Sequence, residues 1–377
     1  MKIFLFMKCN ISRLTLDFQA IPARELCHLT SDRRRCNCDE FAQSQFIFPR
    51  CYPDTEQDCD KDSANLEWPA TRIQFLLFTR KNQKQAEMLH MCNGTLPKNS
   101  RFNPNNQLAV FIPGFMFGVC EIEVIPQIKD ELLAKEDMNV ILIINTEEYG
   151  NDFLAAMENA EKAANLTVKV LRNIQDKTGF KNEKVYLIGH SLGAQVAGLV
   201  GQQFPVHRIT ALDPAGVTYT KDTSLVRRLD PDDADIVDVI HTNGGTGLPY
   251  FGGYFPMGDA DFYVNGGAVQ PSCSKLAWEA AKNFNFMYVI GVSSVPSICA
   301  HAQVLEYYKL SINDFPEKFI AYACSSYKKF KSGNCTGDGA SSIIMGYDFE
   351  KYFTSEHRGR KLPRKYYIDT KEAWPFV

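Results

Sequence analysis

The chain contains 377 residues, of which 45% are hydrophobic and 23% are charged, so its composition is that of a folded globular protein rather than of a disordered one. Its 41 basic and 44 acidic residues give a net charge of −3, which provides no basic excess for binding the phosphates of a nucleic acid. The length fits either one large domain or two ordinary ones.

The first 65 residues form a polar stretch without a sustained helical or strand periodicity. Five of the twelve cysteines lie within residues 27–59, a density typical of proteins that fold in an oxidising compartment. A zinc cluster is the alternative for Cys27, His28, Cys36 and Cys38, but their C-x-C spacing lacks a second C-x-x-C pair. We therefore predict a disulfide-tied extension at residues 1–65, ahead of one folded domain at residues 66–377.

Three features of the sequence bear on the compartment of the protein. Met1–Met7 combines a basic residue with an apolar run, so a weak signal peptide within residues 1–20 stays open, although Lys8 interrupts the run. No stretch of 18 uninterrupted apolar residues occurs, and we expect no transmembrane segment. Acceptor triplets for N-linked glycans add to the expectation of a secreted glycoprotein; they begin at Asn10, Asn93, Asn165 and Asn334.

From Arg72 onward the pattern changes to short apolar runs bounded by Gly, Pro and Asn, which indicates strands buried on both faces of a sheet. A helical stripe runs from Phe153 to Leu171 between the third and fourth runs, and this spacing favours a parallel sheet with crossover helices. The predicted strands are Ile73–Phe78, Leu108–Ile112, Val140–Ile144, Val185–Ile188, Ile209–Leu212 and Ile236–Ile240.

The segment Val185–Ala194 carries the strongest chemical signal, because it combines a buried strand, the pattern G-x-S-x-G and the start of a helix. A tight strand-to-helix turn needs glycine on both sides of the serine, and it lifts the hydroxyl group of Ser191 above the end of the sheet. This arrangement is the nucleophile elbow of an α/β-hydrolase. We therefore predict the α/β-hydrolase fold, with a mostly parallel central sheet and flanking helices.

A nucleophilic serine needs a histidine as base and a carboxylate to orient it, in the chain order Ser, acid, His. Asp213 ends the next apolar strand and is our candidate for the acid; a turn built on Asp-Pro is the alternative. Of the histidines that follow, His207 and His241 adjoin strands, whereas His301 opens a predicted helix after a long insert. We select His301 as the base.

These residues and the sequence around them resemble the pancreatic lipase family from about Trp68 to the C-terminus. The resemblance implies hydrolysis of lipid esters without a required cofactor, and it supports His301 as the base through the sequence Cys-x-His. It also implies an oxyanion hole formed by the backbone N–H groups of Leu192 and Phe115. The matching segments are Arg72–Asn82, Gly189–Gly193, Ala211–Gly216, Arg228–Ala234, Val237–Thr242, Asp261–Gly267 and Cys299–His301.

Some positions depart from the family pattern. Pro113 stands where the family has histidine in His-Gly-Phe, and Asp259 also replaces a histidine, a change that we expect near the site. The resemblance implies a structural calcium ion at Asp230 and Asp233, although the upstream glutamate of the family has no clear equivalent. Two solvated turn carboxylates are the alternative.

The resemblance also implies a lid, which would be the apolar segment of residues 274–298 on a disulfide hinge between Cys273 and Cys299; a buried helix is the alternative. The length of this lid favours a triacylglycerol lipase, whereas the loop of residues 242–258 is intermediate between the triacylglycerol lipase and phospholipase A1 patterns. Only 76 residues follow His301, so we expect the family's C-terminal β-sandwich and a colipase-type partner to be absent.

The sequence therefore predicts a secreted serine esterase that acts on triacylglycerols at a lipid interface. Phospholipase A1 is the alternative within the enzymes. A catalytically impaired lipid-binding or yolk-type protein is the alternative from another class, because such proteins share the fold.

Overall fold

The protein is described by a computed structural model that covers residues 73–89, 95–115, 124–145, 153–224, 227–246, 249–273, 295–313, 318–335, 342–353, 364–373 and 376. The predicted extension at residues 1–65 and residues 274–294 of the predicted lid lie outside this set. Among the described residues, no helix combines the length and the apolar character that crossing a bilayer requires.

The described chain forms one eleven-stranded sheet with the order β10-β9-β11-β8-β7-β6-β5-β3-β4-β1-β2. Seven neighbouring strands are parallel, in the spatial order β4, β3, β5, β6, β7, β8 and β11, while antiparallel pairs lie at both flanks. The strands are β1 Ile73–Phe78, β2 Glu87–Met88, β3 Leu108–Ile112, β4 Asn139–Asn145, β5 Val185–His190, β6 Arg208–Leu212, β7 Ile236–His241, β8 Ala260–Val264, β9 Ile320–Ala323, β10 Ser342–Ile344 and β11 Arg364–Ile368. The predicted α/β class and mostly parallel sheet are confirmed.

Helices cover both faces of the sheet, which explains why its central strands are apolar on both sides. In β1, for example, Phe75 and Leu77 join the core on one face, and Leu76 and Phe78 join the core on the other. The helices are α1 Val124–Lys135, α2 Phe153–Thr178, α3 Leu192–Gly201, α4 Val295–Ile312 and α5 Tyr327–Lys331. Helices α2 and α3 pack on the first face, and α1 and α4 pack on the second.

Helix α4 differs from the sequence-based expectation, because His301 does not open it. The helix begins at Val295, so His301 lies in its second turn. Pro296 occupies the first turn, where its fixed φ angle suits a helix and its missing N–H removes no hydrogen bond.

Strand β11 comes last in the chain but lies between β8 and β9 in the sheet. It pairs in parallel with β8 along five residues and in antiparallel fashion with β9 at Tyr366 and Tyr367. The β9–β10 pair is therefore joined to the parallel part of the sheet through β11.

Candidate active site

Ser191 lies between the end of β5 and the start of α3, with φ 55° and ψ −121°. A non-glycine residue in this region of φ/ψ space is strained and persists only where its surroundings hold it. Three backbone hydrogen bonds hold it here: its N–H donates to the carbonyl of Leu212 (3.0 Å), and its carbonyl accepts from Ala194 (3.1 Å) and Ala215 (3.0 Å). The chain thus adopts the predicted strand–turn–helix at this serine.

Close backbone contacts explain the glycines around Ser191. A Cβ atom on Gly189 would lie 2.5 Å from Cα of Ala194, and one on Gly193 would lie 2.1 Å from the carbonyl oxygen of Ile112. Gly114 has the same constraint, since its Cβ would lie 2.7 Å from Cβ of Ser191. The segment that follows β3 therefore packs directly against the turn.

Asp213 follows β6, the strand next to β5, and its side chain is fully buried. Its Oδ1 accepts two backbone hydrogen bonds, from Thr242 (2.8 Å) and Asn243 (3.0 Å), and its Oδ2 accepts from Nδ1 of His301 at 2.5 Å. Gly252 leaves room for this carboxylate, because a Cβ at that position would lie 2.6 Å from both oxygens. Three donors therefore satisfy this buried carboxyl group and fix its orientation.

The partner of Asp213, His301, is buried on α4. Because Nδ1 carries the proton that Asp213 accepts, the neutral ring presents Nε2 as a base. Phe251 packs against this ring with a centroid distance of 5.6 Å. The structure brings Asp213 and His301 together although 88 residues separate them in the chain.

His190 was not singled out by the sequence analysis, although it is the second residue of G-x-S-x-G. Its Nε2 donates to the carbonyl of His301 (3.1 Å), and the two rings lie 4.9 Å apart. Burial lowers the pKa of His190 well below its ordinary value, so the ring is neutral. Since His190 immediately precedes Ser191, it links the backbone of the serine turn to the helix that carries His301.

Leu192 and Phe115, the expected oxyanion-hole residues, both lie beside this turn. Leu192 is the first residue of α3, and Phe115 follows the glycine that contacts Ser191. Pro113 directs its carbonyl oxygen toward Gly193, where an added Cβ would meet it at 2.5 Å. The proline therefore occupies a position next to the turn without removing the N–H of Phe115.

The expectation that Asp259 lies near the site is wrong. Its N–H donates to the carbonyl of Val237 (2.8 Å), and its Oδ2 accepts from the N–H of Val237 (2.9 Å). These contacts are at the amino ends of β7 and β8, whereas Ser191 and Asp213 lie at the opposite, carboxyl edge of the sheet.

Asp230 and Asp233 form a reciprocal capping box around the short 3-10 helix Pro231–Asp233. Asp230 accepts from the N–H of Asp232 (2.8 Å), and the Asp233 carboxylate accepts from the N–H of Asp230 (2.9 Å). Burial raises the pKa of Asp233 to about 7. Within the described part of the chain, no third acidic, histidine or cysteine side chain completes a metal-binding group. The calcium ion that the resemblance implies at this pair stays a prediction.

Two disulfide bonds are present among the described residues. Cys273 is bonded to Cys299, the predicted hinge pair, with a Cα–Cα distance of 5.7 Å. This bond joins the chain after β8 to the helix that carries His301. The second bond links Cys324 and Cys335 around α5.

The comparison with protein families agrees with this geometry, since the model of the family described as Lipase matches residues 49–376. The chain belongs to the lipase family. The predicted resemblance to pancreatic lipases is thereby confirmed at the level of the family.

Curated relatives place the chain among the pancreatic lipases and their related proteins. It is 32% identical over 340 residues to "Inactive pancreatic lipase-related protein 1" of Homo sapiens, a match that covers 87% of this chain and 70% of that one. It is 34% identical over 283 residues to "Pancreatic lipase-related protein 3" of Homo sapiens (72% and 57% covered). Identity to "Pancreatic triacylglycerol lipase" of Mus musculus is 27% over 375 residues (95% and 73% covered).

The chain spans between about half and three-quarters of these relatives' lengths. Their names include both a triacylglycerol lipase and an inactive protein. Membership of the family therefore supports a lipid ester hydrolase but does not decide whether this chain is active.

Proposed function

We propose that this lipase-family chain is an active serine carboxylic ester hydrolase that acts on lipid esters. Ser191 is the nucleophile, His301 is the general base and acid, and Asp213 orients His301. The observation that carries the proposal is the buried 2.5 Å hydrogen bond between Asp213 and His301, beside a strained serine at the end of the adjacent strand. No metal or cofactor is required for this chemistry.

The geometry supports the following reaction. Nε2 of His301 accepts the hydroxyl proton of Ser191 while Oγ attacks the ester carbonyl carbon, and the resulting oxyanion is stabilised by the N–H groups of Leu192 and Phe115. When the intermediate collapses, His301 donates that proton to the departing alcohol, which leaves an acyl-serine. His301 then takes a proton from a water molecule as the water oxygen attacks the acyl carbonyl carbon. The bond to Oγ of Ser191 breaks, His301 gives the proton to Oγ, and the fatty acid is released.

The catalytically impaired alternative is favoured by the relatives whose names describe them as inactive. Against it, this chain retains the elbow glycines, the serine and the bonded Asp213–His301 pair. A fluorophosphonate, which labels an activated serine covalently, distinguishes the active enzyme from the catalytically impaired protein. We expect stoichiometric labelling of the wild-type protein and none of Ser191→Ala; an unlabelled, folded wild type would refute the proposal.

Within the enzyme class, we propose triacylglycerol as the preferred substrate and keep phospholipase A1 as the alternative. The support is the sequence of the predicted lid, whose 25 residues include Trp278, Phe284 and Phe286 and are bounded by the Cys273–Cys299 bond. Parallel assays on triolein and phosphatidylcholine emulsions test this preference. A higher rate on phosphatidylcholine would favour the phospholipase.

We also propose that the protein works outside the cell. Two disulfide bonds among the described residues fit an oxidising compartment. Asn165 and Asn334, which begin two of the four acceptor triplets, are both exposed. Treatment of the secreted protein with a glycosidase should increase its electrophoretic mobility, and an unchanged mobility would count against glycosylation.

A further inference from the structure

A second buried histidine–aspartate pair lies close to the first. Nε2 of His241 contacts Oδ1 of Asp261 at 2.8 Å, and Nδ1 of His241 contacts the carbonyl oxygen of Gly253, also at 2.8 Å. Both side chains are fully buried, and the imidazole stacks on the ring of Tyr263 with a centroid distance of 4.5 Å. His241 is the last residue of β7, at the carboxyl edge of the sheet, and Asp261 is the second residue of the neighbouring strand β8.

The hydrogen bonds fix the imidazole of His241 at both ring nitrogens. A carbonyl oxygen only accepts, so Nδ1 of His241 carries a proton and donates it to Gly253. Asp261 in turn accepts the backbone N–H groups of Met257 (2.9 Å) and Gly258 (3.1 Å), which hold its carboxyl group in place. Burial raises the pKa of the stacked Tyr263, which keeps that ring neutral.

The same pair is connected to Asp213 through both ends of residues 242–253. At one end, Thr242 and Asn243 directly follow His241, and their N–H groups are the donors to Asp213. At the other end, the carbonyl of Gly253 accepts from His241, and the N–H of Gly253 donates to the carbonyl of Pro214 (2.8 Å). Gly252 packs against the Asp213 carboxylate.

We propose that His241 and Asp261 are positioning residues: their hydrogen-bonded pair holds residues 242–243 and 252–253 in the conformation that places Asp213 against His301. The inference rests on the proposed function for its kinetic consequence. Its structural consequence, a fixed Asp213–His301 hydrogen bond, does not depend on activity.

Two substitutions of His241 separate its two hydrogen bonds. In His241→Asn the amide nitrogen overlays Nδ1 and keeps the donor to Gly253, whereas in His241→Gln it overlays Nε2 and keeps only the donor to Asp261. We expect kcat to fall about 10- to 100-fold in His241→Gln with little change in KM, and to fall less in His241→Asn. Asp261→Asn leaves the donor to Gly253 in place and should resemble His241→Asn, and the double variant His241→Gln/Asp261→Asn should be no worse than His241→Gln alone.

His207 provides a matched control, because it also contacts two acidic side chains, Asp235 (3.2 Å) and Glu350 (2.6 Å), but lies at the amino edge of the sheet. His207→Gln should leave kcat within about twofold of wild type. The acid limb of the pH–rate profile should move to lower pH in His241→Gln and not in His207→Gln, because an imidazole with a displaced carboxylate holds its proton less tightly.

The downfield proton NMR signal of the His301 Nδ1–H group, assigned by its loss in Asp213→Asn, gives a readout without turnover. We expect it to shift or broaden in His241→Gln and to persist in His241→Asn, Asp261→Asn and His207→Gln. An unchanged signal and kcat in His241→Gln would overturn the inference while the proposed function stands. A wild type that shows the signal but resists fluorophosphonate would refute the function alone. If His241→Gln does not fold, the contrast between His241→Ala, which removes both hydrogen bonds, and His241→Asn decides in the same way.

Discussion

Gly193 offers a sharp test of the geometry around Ser191. In Gly193→Ala, the new methyl group would lie 2.1 Å from the carbonyl oxygen of Ile112 and 2.5 Å from that of Pro113, well inside the 3.4 Å of ordinary contact. Backbone atoms cannot rotate away, so α3 and the segment after β3 must separate by about 1 Å. That segment carries Phe115, one of the two proposed oxyanion donors.

A displacement of about 1 Å lowers a catalytic rate by about 100-fold, and loss of one oxyanion donor lowers it by about 100- to 1,000-fold. We therefore expect the rates of fluorophosphonate labelling and ester hydrolysis to fall by at least about 100-fold in Gly193→Ala. The strain of about 1–3 kcal/mol from overpacking is partly offset by the gain of about 1 kcal/mol in helix propensity, so the variant should fold.

Gly198→Ala is the matched control on the same helix. Its methyl group would also clash, at 2.7 Å from the Asp233 carboxylate and 2.8 Å from Cα of Leu229, but on a side remote from Phe115. We expect a comparable change in thermal stability and a labelling rate within about threefold of wild type. Equal labelling rates in wild type and a folded Gly193→Ala would refute the reasoning.

Three further outcomes are expected. Ser191→Ala, His301→Ala and Asp213→Asn should each lower kcat by at least about 1,000-fold, because triad members act as a unit; retained hydrolysis in Ser191→Ala would remove the assignment. Burial raises the pKa of Asp233 to about 7, so its stabilising effect is complete below the unfolded-state pKa of about 4 and is lost as pH rises through 7. The free energy of unfolding of the wild type should therefore decrease between pH 4 and 8. This decrease should be smaller in Asp233→Asn and unchanged in Asp232→Asn, which alters the exposed neighbour. Hydrolysis of a short-chain ester should increase abruptly when the substrate forms droplets, because opening an apolar lid is unfavourable in water; a smooth rise in rate would count against the lid.

The central strands could be predicted because each is apolar on both faces and bounded by turn residues. The observed ends of β4, β5, β6 and β7 differ from the predicted ends by only one or two residues. Strands β2 and β8 to β11 were missed. In β8 the acidic side chain of Asp261 interrupts the apolar run, and in β9, toward one flank of the sheet, Ile320 and Tyr322 are exposed and the apolar signal is diluted.

The candidate site could be predicted only where side-chain identity carries the chemistry. Ser191 has a local pattern, and Asp213 and His301 follow from chain order, but the donors at Thr242 and Asn243 are backbone N–H groups that any residue there would supply. Asp259 was misplaced because its expected position came from the family pattern, whereas in the structure it directly precedes β8 and pairs with Val237 at the amino edge of the sheet.

The insertion of β11 between β8 and β9 has a consequence for the order of folding. During synthesis every strand that borders Ser191 and Asp213 emerges before residue 242, yet β8 keeps an unpaired edge until residues 364–368 arrive. An exposed edge strand is a template for pairing with other chains. The nascent protein thus completes its candidate triad at His301 and pairs the open edge of β8 only afterwards, so premature termination before residue 364 would release chains prone to associate through β8.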